Sequence, residues 1–254
     1  MDVLGIIPAR FDSTRFPGKP LVDIFGKTMI RRVYESSCEV IENVIIATDS
    51  DKIAEEVESF KGEYILTSKD HKSGTDRCAE AVLKYEQFSG KKFDVIINIQ
   101  GDEPFIDKEH LRKAIKCFDN KDVDIATLIK EIDNNDDIFN PDTVKVLKNI
   151  ENFAVCFSRS PIPYLRGIDK DKWYTKHKFY KHIGLYAYKK NVLQTITKLG
   201  QSSLEIAESL EQNRWVENGY KIYTEETTIE SLSVDTKEDL ENILKIYSNF
   251  VETL

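Results

Sequence analysis

Residues 3–20 read Val3-Leu4-Gly5-Ile6-Ile7-Pro8-Ala9-Arg10-Phe11-Asp12-Ser13-Thr14-Arg15-Phe16-Pro17-Gly18-Lys19-Pro20. Val3 to Ile7 is a short unbroken apolar run, the pattern of a parallel strand buried on both faces. Pro8 stops it. Arg10, Arg15 and Lys19 follow, offset only by Asp12. Pro17-Gly18 forces a turn just ahead of Lys19. A loop at the carboxyl end of a first strand is where an open α/β sheet takes its ligand. Two guanidinium forks and one ammonium suit a polyphosphate, because Arg grips oxygens in pairs and Lys acts as a mobile point charge. The plainer reading is a charged, solvated surface loop.

The same rhythm continues outward. Strand patterns at 43–47, 64–67 and 94–99 alternate with helix patterns at 28–40, 52–60, 74–87 and 108–118. Strand then helix, repeated four times, predicts a mainly parallel α/β sheet with right-handed crossovers and helices on its faces. The second half changes character. Strands are expected at 125–130, 143–148, 154–158 and 183–188, with longer, irregular connections. Helices at 191–199 and 203–218, a strand at 221–224 and a last helix from 238 to about 247 complete the chain. No Gly- or Ser-rich linker interrupts it. One domain over 1–254 is expected, with a first half, 1–120, and a mixed second half, 121–254.

The composition narrows the function. The chain has 254 residues, 41% hydrophobic and 31% charged, and a net charge of −8. That acidic balance argues against a general nucleic-acid binder but leaves room for a small anion, which local fields attract. No apolar run approaches the roughly 18 residues of a membrane helix, and Met1-Asp2-Val3-Leu4 lacks the charged start of a signal peptide. The four cysteines stand far apart with no CxxC pair, which reads as buried free thiols in a reducing, cytoplasmic setting.

Four further groups carry candidate chemistry. Gln100-Gly101-Asp102-Glu103-Pro104 follows the fourth strand; Gly101 permits close approach, and Asp102 is placed to hold Mg²⁺ through oxygen. A helix cap is its rival reading. Asp235, in Val234-Asp235-Thr236, is either a second metal carboxylate or part of a capping pattern. Ser73-Gly74-Thr75-Asp76-Arg77 offers a hydroxyl, backbone groups and a guanidinium that can match a nucleobase edge, or simply starts a helix. Arg159, His182, Gly184, Tyr186, Glu211 and Gln212 form a later polar set. On a regular strand His182, Gly184 and Tyr186 share one face, with Gly184 leaving room between the rings; taken singly, His182 reads first as a satisfied core residue. There is no Ser-His-Asp order, HExxH, P-loop or dinucleotide fingerprint after the first strand.

Taken together, the segments 7–21, 47–49, 71–77, 98–104, 157–163, 181–186, 210–212 and 234–236 resemble the 3-deoxy-manno-octulosonate (Kdo) cytidylyltransferases nearly end to end. The first segment is shared with other sugar nucleotidyltransferases; Gln-Gly-Asp-Glu-Pro with Ser-Arg-x-x-Ile-Pro and His-x-Gly-x-Tyr is narrower. The resemblance implies a nucleotide-diphospho-sugar transferase-like fold, a Rossmann-type, mainly parallel sheet with a mixed second half. It implies CTP and Kdo as substrates, CMP-Kdo and pyrophosphate as products, Mg²⁺ as cofactor, a role in lipopolysaccharide supply, and a homodimer contacting through 160–190. The site residues it implies are Arg10, Arg15, Lys19, Ser73, Gly74 and Arg77 for the nucleotide. Asp102 and Asp235 are implied for the metal, and Gln100, Arg159, His182, Tyr186, Glu211 and Gln212 for the sugar acid. Arg10, Arg15, Lys19 and Asp102 make the catalytic set.

Two departures from the family pattern stand out: Ser233 where Gly is usual before Val-Asp-Thr, and Asn213 where an apolar residue is usual. If the usual Gly has positive φ, Ser233 is strained or the loop is reshaped. The alternatives are a cytidylyltransferase for another keto acid sugar, such as an acylneuraminate or 8-amino-Kdo, and a non-catalytic nucleotide-binding subunit.

Overall fold

The computed structural model describes residues 1–12 and 16–251. The chain divides into two compact units, Met1–Arg112 with Ser231–Leu254, and Lys113–Glu230. The boundary thus differs from a cut after residue 120, because the last segment rejoins the first unit.

The first unit is the parallel α/β layer its apolar runs predict. Strand β1 (Val3–Ala9) is followed by a small antiparallel pair, β2 (Asp23–Ile24) and β3 (Lys27–Thr28), and helix α1 (Met29–Cys38). Then come β4 (Asn43–Thr48), α2 (Asp51–Ser59), β5 (Tyr64–Leu66), α3 (Gly74–Ser89), β6 (Val95–Asn98) and α4 (Lys108–Lys116). β1 lies between β6 and β4, and β5 flanks β4, all parallel; Ile6 is opposite Ile45 on one side and Asn98 on the other. Leu4, Ile6 and Ile7 are completely buried, as a strand covered on both faces requires. Helices α1 and α2 bury Met29, Ile30 and Val33, and Ile53, Ala54 and Val57, at helical spacing.

The C-terminal helix Lys237–Val251 belongs to this unit. Ile243 and the preceding Val234 complete a cluster with Phe16, Ile24 and Met29. Each such side chain contributes about 1.5–3 kcal/mol when fully buried.

The second unit is mixed. It holds β7 (Ile125–Glu131), α5 (Asn135–Phe139), β8 (Lys145–Lys148), β9 (Ala154–Ser158), α6 (Trp173–Lys176), β10 (Tyr180–Lys189), α7 (Lys190–Ile196), α8 (Ser203–Glu208), α9 (Glu211–Glu217) and β11 (Ile222–Thr227). β7 pairs antiparallel with β10 and parallel with β11; β8 pairs antiparallel with both β10 and β9. Trp173 stacks on Phe179 at 5.9 Å between ring centroids, inside a small core with Ile132 and Ile138. Trp173 and Phe179, which lie in the 160–190 segment expected at a dimer contact, are therefore interior residues.

Two local differences from the sequence pattern have physical causes. The helix expected over 203–218 breaks at Ser209, which has φ 52°. The Glu208 carbonyl accepts from Arg159 Nε at 2.7 Å. Strand β10 is also irregular: its pairing with β7 jumps from Ile183–Leu128 to Tyr186–Thr127. The extra pair, Gly184-Leu185, forms a bulge, and the Thr127 hydroxyl lies 2.8 Å from the Leu185 carbonyl. Among the described residues, no helix is long and apolar enough to cross a membrane.

Candidate active site

The end of β1 is closed in by two glycines. A Cβ on Gly101 would come 3.0 Å from the Pro8 carbonyl, and one on Gly74 would meet the Pro8 ring at 3.2 Å. Any larger residue would push the loop after β6, or the start of α3, away from β1. Beyond Pro8 the chain turns outward. Arg10 is exposed and, with Phe11, Asp49, Lys52 and Lys69, lines a cavity of about 350 Å³. Lys52 lies over the Phe11 ring at 4.4 Å. Lys52 and Lys69 escaped the sequence reading; the clue was their place after the ends of β4 and β5, where parallel sheets gather ligands. Arg15 lies outside the described residues.

Lys19 is held by the backbone around it. Gly18 has φ 73°, and its N–H donates to the Phe11 carbonyl at 2.9 Å; a short 3-10 turn, Lys19–Leu21, follows. The Lys19 ammonium reaches Asp102 Oδ2 at 2.8 Å and Asp235 Oδ1 at 3.3 Å. These three residues, drawn from three separate motifs, form one cluster within the first unit.

The cap readings of both acids pass to other residues. Asp107 Oδ1 accepts the Glu109 N–H ahead of α4. At the C-terminal helix, Thr236 and Asp239 cap each other: Asp239 Oδ2 accepts the Thr236 N–H at 2.7 Å, and the Thr236 hydroxyl oxygen accepts the Asp239 N–H at 3.1 Å. Asp235 is brought in by its neighbour, since the Val234 N–H donates to the Asp102 carbonyl at 2.9 Å. Ser233 is not among the residues with positive φ, so replacing the usual Gly strains nothing there.

Two convergent carboxylates around one cation are a donor set suited to Mg²⁺, which takes few protein ligands and completes its octahedron with phosphate oxygens and water. Among the described residues there is no group of three or more His, Cys, Asp or Glu side chains that could hold a metal. Beside Asp102, Glu103 is buried, which pushes its carboxyl up to about 7 against the opposing effect of Ser231; the Asp102 charge pushes the same way.

The 73–77 motif is used differently from its base-reading expectation. Ser73 caps α3, its hydroxyl oxygen accepting the Asp76 N–H at 3.1 Å. Arg77 is fully buried; its guanidinium binds Asp49 Oδ2 at 2.6 Å and the Thr67 hydroxyl. A fork spent in this way ties the ends of β4 and β5 to α3 and is not presented to a base. The loop ahead of Ser73 is held by Glu80, which takes the Ser68 N–H, His71 and Lys84. Burial alone would raise the Glu80 carboxyl, but these partners outweigh it and lower it to about 2.

Gln100 sits at the end of β6 in the first unit, whereas the other expected sugar-side residues lie in the second. The bulge in β10 removes Gly184 from between His182 and Tyr186, and their ring centroids lie 5.1 Å apart. The space expected between the rings is therefore filled by the rings themselves. Tyr186 packs edge-on against Trp215 and is buried; burial, then the Glu211 charge, raises its hydroxyl well above the usual range. Gln212 is buried, while Arg159 and Glu211 are partly open. Asn213 fits its interior position by donating to the Phe157 carbonyl at 3.1 Å.

Arg159 is organised by Glu208, a residue the motif reading did not single out. Glu208 accepts the Ser158 hydroxyl at 2.6 Å and the Arg159 N–H at 2.8 Å. Arg159 Nη1 donates to the Pro141 carbonyl at 3.0 Å.

His182 Nε2 lies 3.0 Å from the Thr127 hydroxyl, which has carbonyl acceptors at Leu185 and Ile183. With the hydroxyl proton given to a carbonyl, Nε2–H is the donor and Nδ1 is left as an acceptor. Burial lowers the imidazole to about 4. We therefore expect the His182 ring signals to show no NMR titration between pH 5 and 8; an inflection near 6.5 would contradict this environment. The sign of the linkage follows: neutral His182 favours the folded state fully above pH 6.5, and that contribution is lost as pH falls towards 4.

Comparison with known proteins places this geometry. A family model described as "Cytidylyltransferase" matches residues 4–222. A 3-deoxy-manno-octulosonate cytidylyltransferase of Parabacteroides distasonis is 51% identical, covering 98% of this chain and 99% of its own. One of Cytophaga hutchinsonii is 52% identical, covering 94% of this chain and 95% of its own. A solved structure of CMP:2-keto-3-deoxy-manno-octonic acid synthetase, complexed with CTP, superposes with a TM-score of 0.88 at 38% identity, covering 98% of this chain and 99% of that one. The fold is thus that of the nucleotidyltransferases, a largely parallel sheet flanked by helices. With a family model over most of its length and full-length relatives at about half identity, the chain belongs to the cytidylyltransferase family, among its 3-deoxy-manno-octulosonate members.

Proposed function

We propose that the chain activates Kdo with CTP, giving CMP-Kdo and pyrophosphate for lipopolysaccharide synthesis. The observation that carries this reading is the Lys19–Asp102–Asp235 cluster, set in the unit that also bears the Arg10 loop. The anomeric hydroxyl of Kdo attacks the α-phosphorus of CTP. A new oxygen–phosphorus bond forms and the bond to pyrophosphate breaks. Such a transfer is catalysed by positioning and charge stabilisation. Arg10, Arg15 and Lys19 bind the triphosphate and its developing charge. Ser73, Gly74 and the surrounding backbone shape the base side, and Arg77 supports that side through Asp49. Asp102 and Asp235 would hold Mg²⁺, which when bound offsets phosphate charge and acidifies the attacking hydroxyl.

Gln100, Arg159, His182, Tyr186, Glu211 and Gln212 serve the sugar acid. Arg159 offers its guanidinium to the carboxylate. His182 offers the Nδ1 acceptor to a sugar hydroxyl; it is too weak a base to take the attacking proton at neutral pH. The two units act as one catalytic domain. We place the protein in the cytoplasm, in keeping with its four free cysteines. We also propose that two copies associate through the 160–190 segment, where Tyr164 and Tyr174 are exposed.

A pyrophosphate-release assay with Mg²⁺, CTP and a panel of keto acid sugars tests the substrate. Turnover with Kdo at least about tenfold above the others is expected, since a site built around substrate hydroxyls rejects an acid that leaves them unmatched. Preferential turnover of an acylneuraminate or 8-amino-Kdo would reassign the sugar.

A further inference from the structure

Lys19 fills the space on which both acids converge. Its side chain is 13% exposed, while those of Asp102 and Asp235 are 27% and 38% exposed. The Lys19 side chain is the best shielded of the three, and the ammonium lies 2.8 and 3.3 Å from the two carboxylates. It cannot drift far along the backbone, because Gly18 and the turn through Pro20 fix its Cα; only the four-carbon stem can swing.

We propose that Lys19 is an internal counter-cation that a divalent metal must displace, and that the nucleotide's phosphates receive the displaced ammonium. This rests on the reading of Asp102 and Asp235 as metal ligands. Before substrate binds, Lys19 neutralises the acid pair and keeps the 231–235 segment drawn towards the loop after β6. A divalent cation entering alone would place two positive charges beside an ammonium with no new partner. At a few ångströms like charges repel strongly even in a moderately polar site. A triphosphate removes the conflict, since Lys19 exchanges carboxylate oxygens for phosphate oxygens. Metal and nucleotide therefore bind with positive coupling, each tightening the other by the same factor.

The test measures Mn²⁺ binding directly, by the electron paramagnetic resonance signal of the free ion, in the absence of nucleotide. Wild type, Lys19→Met and Asp102→Asn are compared. Lys19→Met is expected to bind Mn²⁺ at least about tenfold more tightly than wild type, because its acid pair has no competing cation. Equal or weaker binding by Lys19→Met overturns the proposal. Asp102→Asn separates this failure from failure of the metal site itself: loss of Mn²⁺ binding keeps the site, whereas unchanged binding removes both readings.

A second measurement uses the wild-type chain alone, so that no variant needs to fold. Amine acetylation followed by mass spectrometry reads the accessibility of Lys19. Saturating Mg²⁺ without nucleotide should raise its labelling, and CTP added with Mg²⁺ should suppress it again. Labelling that Mg²⁺ leaves unchanged overturns the proposal.

Discussion

Asp102→Asn is expected to lower turnover by about 10³-fold or more while leaving the fold intact, because in the proposed mechanism it removes one of two carboxylates serving the reacting phosphates. The substitution is nearly isosteric. Its amide oxygen still accepts from the Lys19 ammonium, so the loop after β6 keeps its contact with Lys19. The ion pair it replaces is partly exposed, and such pairs contribute about 1 kcal/mol or less. A thermal scan should therefore move by only a few degrees, while a pyrophosphate-release assay collapses. Asp235→Asn should show the same split, since Thr236 and Asp239 cap the helix through each other's side chains. Near-normal turnover in either variant would return that acid to a structural role. A large loss of melting temperature would do the same by another route.

The second large effect concerns stability. Arg77→Met should destabilise the chain by about 3 kcal/mol, the lower end of the cost of breaking a buried pair. Arg77 is completely buried, and its removal strands the Asp49 carboxylate and leaves the Thr67 hydroxyl only its bond to the Thr48 carbonyl. The lower end applies because the Asp49 side chain keeps 13% of its exposure and recovers some hydration. For a chain of this length the melting temperature should fall by roughly 6–12 °C. Urea denaturation reads the same difference. Arg77→Lys should rescue little, since one ammonium cannot span two acceptors held by a planar fork. Adding Asp49→Asn to Arg77→Met should recover part of the loss by removing the stranded charge. A neutral Arg77→Met would mean that this buried network is dispensable.

The two cases also mark what the sequence could convey. The layered first unit was legible from Val3–Ile7 onward, because strands buried on both faces leave unbroken apolar runs and their helices carry period-3.6 stripes. Lys19, Asp102 and Asp235 were each visible as polar residues at element ends; that they meet is a tertiary fact. Asp235 looked more like a cap than a ligand until Thr236 and Asp239 took the cap. Arg77 misled because a guanidinium in a polar motif looks available, and the packing of this face of α3 against the ends of β4 and β5 is invisible in local pattern. Glu208 stayed hidden for the opposite reason. It reads as an ordinary helical acid, and its value comes from Ser158 and Arg159, which are distant in sequence. The bulge at Gly184-Leu185 could not be predicted from alternation either. An insertion of two residues preserves the side-chain parity on which strand readings depend.

The return of the last segment to the first unit has a consequence in time. The unit over residues 113–230 draws on one continuous stretch of chain. The first unit does not: Phe16, Ile24 and Met29 wait for Val234 and Ile243 to close their cluster, and Asp102 waits for Asp235. A ribosome makes the chain in one direction, so the unit begun first is finished last. Until its final stretch emerges, the nascent protein has neither a sealed first core nor a complete acid pair. On the proposed roles of Asp102 and Asp235, catalytic competence arrives together with structural completion, and a prematurely stopped chain that holds its nucleotide loop intact is expected to be inert.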